Sequence, residues 1–136
     1  MRFMVIVKAT TDSEAGVLPT REQLTEMNEF NQQLLKDGMM LAGEGLQASS
    51  KGARLRFERG RVTVTDGPFT ETKELVAGFW IVQGKSKEDV VERFTHAPFQ
   101  DGAEIEIRQV FEAEDFGENL TPEVREQEER RRAGSQ

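Results

Sequence analysis

The chain has no cysteine, a single histidine and no apolar run near the about 20 residues that cross a bilayer. Without cysteine there is no disulfide framework and no thiolate chemistry, which suits a cytoplasmic location. One histidine among scattered carboxylates gives no ligand spacing for zinc, so no metal is expected. Two further signatures are missing. Gly43-Glu44-Gly45 lacks the following helix that a phosphate loop requires, and no Gly-x-Ser-x-Gly nucleophile elbow occurs. No cofactor is expected. The N-terminal stretch Met1 to Lys8 has no small-residue cleavage site and reads as a first strand rather than a signal peptide. Basic residues are also in short supply, 18 Lys and Arg against 25 Asp and Glu, a net charge of −7. That balance disfavours nucleic-acid phosphate and anionic membrane as partners.

What is present fits one domain of 136 residues, long enough to bury a core. Residues 2–9 alternate as a strand with two apolar faces, Phe3, Val5 and Val7 against Met4 and Ile6. A polar loop, 10–19, precedes a helix over about 21–37. Thr20 and Gln23 form its capping box, Leu24, Met27, Phe30, Leu34 and Leu35 its apolar stripe, and Gly38 its stop. Met39 to Leu46 reads as a second strand, with Gly43 and Gly45 permitting a bulge or a close backbone approach. Residues 54–58 and 61–65 alternate around Arg59-Gly60 as a peripheral hairpin, with Leu55, Phe57, Val62 and Val64 on one side. A strand over 75–83 is apolar on both faces. Ser86 and Asp89 predict a second capping box, opening a short helix that packs Val90, Val91 and Phe94. Glu104 to Phe111 is the last core strand. In the charged extension 113–136, Thr121-Pro122 starts another helix.

This order predicts an α+β fold of ferredoxin-like βαββαβ type, with a β-hairpin insert and a C-terminal helix. Two helices cover only one sheet face, yet two of the strands are apolar on both. A bare second face would expose a large apolar patch. A homodimer packed sheet against sheet is therefore expected. The alternative is that the hairpin and the C-terminal helix fold over that face within one chain.

Asp66-Gly67-Pro68-Phe69-Thr70-Glu71-Thr72-Lys73-Glu74, followed by Gly78-Phe79-Trp80-Ile81, resembles the DGPF-type branch of the YCII-related domain family. Leu41 to Leu46 and Glu106-Ile107-Arg108 support the resemblance, which covers about residues 1–112. It implies a dimeric α+β barrel on a ferredoxin-like fold, from a bacterial family mostly without an assigned reaction, some of whose members are linked to alternative sigma factors. The founding branch's pattern of a first-helix histidine and an aspartate before a proline suggests an acid–base dyad. This chain departs from it. Met27 and Asn28 are nearest the histidine position, Ala97 precedes Pro98, and the single histidine is His96.

Five residues are candidates for chemistry. Asp66 has the carboxylate of a general base at a cleft mouth, or of an Asx-turn that accepts backbone N–H groups. Glu44, between two glycines, is the neighbour that would tune it, or an ion-pair partner of Lys73 or Arg108. Lys73 and Arg108 would orient an anionic group on a ligand, or serve as ordinary surface ion pairs. His96 would exchange protons near neutral pH or cap a helix end. Two functions follow. One is a dimer cleft that binds a small organic molecule, with cofactor-free acid–base chemistry. The other is a non-enzymatic regulatory or interaction module linked to sigma-factor-dependent transcription.

Overall fold

Alternation in the first strand sets the layers of the whole structure. A computed structural model describes residues 1–134. In β1 (Arg2–Lys8), Phe3 and Val5 are buried while Met4 and Ile6 on the opposite side are half-buried. The elements that follow are α1 (Thr11–Glu14), α2 (Arg21–Lys36), β2 (Met40–Gly45), β3 (Ala53–Glu58), β4 (Arg61–Asp66), β5 (Val76–Gln83), α3 (Lys87–Phe94), β6 (Ile105–Gln109) and α4 (Pro122–Gly134). Three 3-10 turns lie between them, at Ser49–Lys51, Thr72–Glu74 and Ala113–Asn119.

The main sheet runs β2-β5-β1-β6, with every neighbouring pair antiparallel. With the β3–β4 hairpin set aside, this is the ferredoxin-like βαββαβ arrangement. Leu34 of α2 and Val90 and Phe94 of α3 meet Phe3, Val5, Trp80 and Val82 in one core. Trp80 lies at its centre, edge-on to Phe94 and Phe99 at centroid distances of 5.1 and 6.1 Å. Both helices therefore cover one face. The other face carries Met4, Ile6, Ala77, Phe79 and Ile81 in its two central strands, with Glu44, Glu106 and Arg108 on the edge strands.

Several local expectations shift. The loop 10–19 contains α1, one helical turn with its own Thr10–Ser13 capping box. Thr20 and Gln23 cap α2 as expected. Its buried stripe is narrower, because Leu24 and Leu35 are exposed and Met27, Phe30 and Leu34 do the packing. At α3, Ser86 accepts from the Asp89 N–H at 3.1 Å, but the Asp89 side chain is not bonded back to the cap. The shorter aspartate leaves half a capping box. Val91 is exposed, one position off the core-facing pair Val90 and Phe94.

The hairpin does not fold over the open face. Its strands pair only with each other. The C-terminal arm does come alongside that face. Glu112 is bonded to Arg2 at 2.8 Å and approached by Arg132 of α4 at 3.5 Å. Among the described residues no helix is long and apolar enough to cross a membrane.

Candidate functional site

The Asp66 to Glu74 segment is first of all a junction. Gly67 donates its N–H to the Gly52 carbonyl at 3.0 Å. The Phe69 N–H donates to Ser49 Oγ at 3.0 Å. Ser49 in turn donates its hydroxyl and its N–H to the Glu14 carboxylate. Those two Ser49 bonds, the hydroxyl first, hold Glu14 below the usual carboxylate range. The Arg54 guanidinium lies 3.8 Å above the Phe69 ring. The motif thus ties α1, the turn after β2 and the end of β4 into one unit.

Asp66 itself ends β4 opposite Ala53, exposed. Among the described residues its carboxylate has no hydrogen-bond or ion-pair partner, so the Asx-turn is not formed. Lys73 is exposed in the Thr72–Glu74 turn, likewise without a partner among the described residues. Glu44 stands opposite Phe79, exposed on the open sheet face, and pairs with neither Lys73 nor Arg108. Arg108 stands opposite Met4 on the same face and bonds Glu106 on its own strand at 3.3 Å. That bond, then the charge of Lys8, lowers the Glu106 pKa. Glu44 and Arg108 lie on opposite edge strands, three interstrand spacings or about 14 Å apart. His96 lies beyond the end of α3, exposed, with Nε2 3.4 Å from Glu92. One chain therefore does not gather these five residues. Glu44 and Arg108 share a face, Asp66 and Lys73 share a loop, and His96 stands apart.

A different cavity forms between α2 and the sheet, with a volume of about 310 Å³. Met27 and Asn31, one turn apart on α2, make its roof, and Trp80 and Phe99 a wall. Gly43, Gly45 and Gly78 pave the floor. In register, Gly45 faces Gly78 and Gly43 faces Trp80. A Cβ at Gly43 would meet Trp80 Cδ1 at 2.9 Å, whereas one at Gly45 meets nothing within 4 Å. The open space is therefore above Gly45. Trp80 donates Nε1–H to Asn31 Oδ1 at 2.9 Å. Because an indole nitrogen only donates, that bond fixes the amide orientation. The Asn31 NH₂ group has no partner among the described residues and is left for the cavity that Asn31 lines.

Of the five candidates only Glu44 borders this cavity. The sequence did signal the site, through three glycines on two neighbouring strands. That signal becomes legible only with the β2–β5 register in hand. Among the described residues no three His, Asp or Glu side chains cluster closely enough to hold a metal ion.

Comparison with known proteins agrees on the family. No match is found among curated proteins. Among solved structures, the chain is similar to a 5-chloro-2-hydroxyhydroquinone dehydrochlorinase from Burkholderia phenoliruptrix in complex with 2,5-dihydroxybenzoquinone. The identity is 17%, the alignment covers 82% of this chain and 96% of that one, and the TM-score is 0.39. The profile of the YCII-related domain matches residues 1–114, which include both helices of the core, the main sheet and the Asp66 junction, and the chain belongs to that family.

Proposed function

We propose that this protein binds a small, mostly apolar organic molecule in the cavity beneath α2, and that it works as a homodimer joined through the open sheet faces. The glycine floor carries the first part. Gly45, on the strand that α2 overlies, keeps space where a packed core would place a side chain. The volume lies at the lower end of ligand sites, which run about 300–1,000 Å³. The lining is mostly aromatic and aliphatic, with Glu44 at its border and one amide donor from Asn31, which suits a ligand that presents a carbonyl or phenolic oxygen. Met4, Ile6, Phe79 and Ile81 support the second part, as an apolar surface that neither α2 nor α3 covers.

Chemistry at a dimer cleft, apart from that cavity, would fall to Asp66. Its carboxylate is unengaged among the described residues. A second copy that enclosed it would place a carboxylate within reach of a bound ligand as a general base. Lys73, in the same loop, would then orient an anionic group. Asp66→Asn then keeps fold and dimer and loses turnover.

The binding test is thermal shift of the wild type and Gly45→Val against phenols and small carboxylates. A bound ligand at a hundredfold excess over its Kd stabilises by about 2.7 kcal/mol. Valine fits the strand, and a Cβ at Gly45 meets nothing within 4 Å. The expected result is a saturable shift in the wild type that Gly45→Val loses while keeping its own melting point. A shift preserved in Gly45→Val, or none in either protein, overturns the cavity as the site.

A further inference from the structure

The residues just before the cap of α2 are apolar, bare and unbonded. Val17 is 58% exposed and Leu18 83%. Val17 makes the last bond on the α1 side, donating its N–H to the Asp12 carbonyl at 3.0 Å. The next bonded backbone group is the Thr20 N–H, which donates to Gln23 Oε1 at 2.9 Å. Between them, the Leu18 N–H and the carbonyls of Val17, Leu18 and Pro19 have no partner among the described residues. Both ends of the segment are nevertheless fixed. Glu14 ties α1 to Ser49, and the Thr20–Gln23 box holds the start of α2. Gly16, at φ +79°, turns the chain where a side chain would be strained.

This segment meets the cavity beneath α2, because Pro19 is part of the cavity lining. A proline biases the residue before it toward extended backbone, and successive residues of extended backbone face opposite ways. With Pro19 on the cavity, Leu18 is turned out to solvent, as its exposure shows. Rotation of the segment between Gly16 and Thr20 would bring Leu18 onto the cavity, and no backbone hydrogen bond of Leu18 or Pro19 has to break for it. A lone exposed leucine is ordinary on a protein surface. A leucine next to an aromatic-walled cavity, on backbone that no bond fixes, gains an apolar contact once that cavity is filled.

We propose that residues 17–19 are the lid of this cavity and that Leu18 closes on the bound molecule. The inference rests on the cavity reading above and adds the side chain that completes the site. The occupant so enclosed presents an oxygen to the Asn31 amide and an apolar edge to Leu18, a description that a monocyclic phenol meets. Closure buries Leu18 only while the cavity is occupied, so its contribution falls on the rate of release.

Trp80 is the one tryptophan of the chain and walls the cavity, so its fluorescence reports occupancy. The probe is 4-nitrophenol, a ring with a phenolic oxygen that quenches tryptophan emission. It is mixed in stopped flow with the wild type, Leu18→Ala and Gly45→Val. Leu18 is exposed, so its truncation leaves the core untouched. The expected result is saturable quenching in the wild type and in Leu18→Ala, and none in Gly45→Val. Release from Leu18→Ala should be about tenfold faster than from the wild type, the lower end of what burying a leucine contributes. Equal release rates overturn the lid and leave the cavity standing. Quenching that fails to saturate in the wild type, or that persists in Gly45→Val, overturns the cavity and the lid with it. Light scattering closes the remaining route. If Leu18→Ala has a smaller mass in solution than the wild type, Leu18 belongs to a subunit interface and the lid is overturned.

Discussion

At Gly67 the chain passes closer to its neighbour than any side chain permits. A Cβ built there would lie 1.7 Å from the Ser49 carbonyl oxygen, a backbone atom fixed in turn by the Ser49 bonds to Glu14 and Phe69. Gly67→Ala therefore has to push the Asp66 turn off the Ser49 turn. That cost exceeds ordinary overpacking, so a loss of about 3 kcal/mol or more is expected in urea denaturation. A loss under about 1 kcal/mol, the scale of a tolerated core swap, would show that the junction is soft. Glu14, in the same unit, gives a pH signature. Its folded pKa is lowered, chiefly by the Ser49 hydroxyl. Its contribution is thus complete above the unfolded carboxylate pKa of about 4 and is lost as pH falls through the lower folded value. The stability difference between the wild type and Glu14→Gln should be flat near neutrality and shrink below about pH 4. A difference that stays constant down to pH 2.5 would mean that the carboxylate is not held by Ser49.

Between elements, legibility divides along a physical line. Patterns that a segment satisfies by itself were readable. The Thr20–Gln23 box opens α2 where the sequence puts it, and Gly38, at φ +68°, stops it. The alternation in β1 and β5 gave two apolar faces per strand, and with the order of elements it gave the ferredoxin-like sheet. What the sequence could not supply was register and cover. Leu24 and Leu35 fit the helical period but lie at the edge of the stripe, and only the width of the neighbouring sheet decides that they stay exposed. Asp66, Lys73, Glu44, Arg108 and His96 were chosen for chemistry and proximity in sequence. Sheet order then sends Glu44 and Arg108 to opposite edges, and the helix carries His96 away from both. The cavity was hidden for the same reason. Gly43, Gly45 and Gly78 become one floor only because β2 lies antiparallel to β5 with Gly45 against Gly78. The family motif was legible as a string but not as a structure. Its phenylalanine binds a serine twenty residues upstream and, through it, α1, an element one turn long that periodicity is too short to reveal.

The whole molecule is asymmetric in the cover of its sheet. One sheet face is sealed by α2 and α3, and the other leaves Met4, Ile6, Phe79 and Ile81 half-buried beside an arm held by Arg2, Glu112 and Arg132. Ile6 separates the two roles of the sheet. It stands opposite Phe79 on one side and Glu106 on the other, and its side chain points away from the core that Val5 and Val7 face. In a single chain a lysine at this position stays solvated and has Glu106 within reach, so Ile6→Lys should leave the fold and its melting behaviour nearly unchanged, within the about 0.5 kcal/mol typical of surface changes. In a sheet-to-sheet dimer the same lysine is buried among apolar side chains of the partner, and the two-fold axis enters it twice. An unpaired buried charge costs several kcal/mol, enough to shift a micromolar dimer to monomer. Light scattering should therefore give the mass of one chain for Ile6→Lys and of two for the wild type, with matching far-UV dichroism. If Ile6→Lys stays dimeric, the open face is not the interface. If it unfolds, the face belongs to the core of the single chain, and the C-terminal arm rather than a second copy is what covers it.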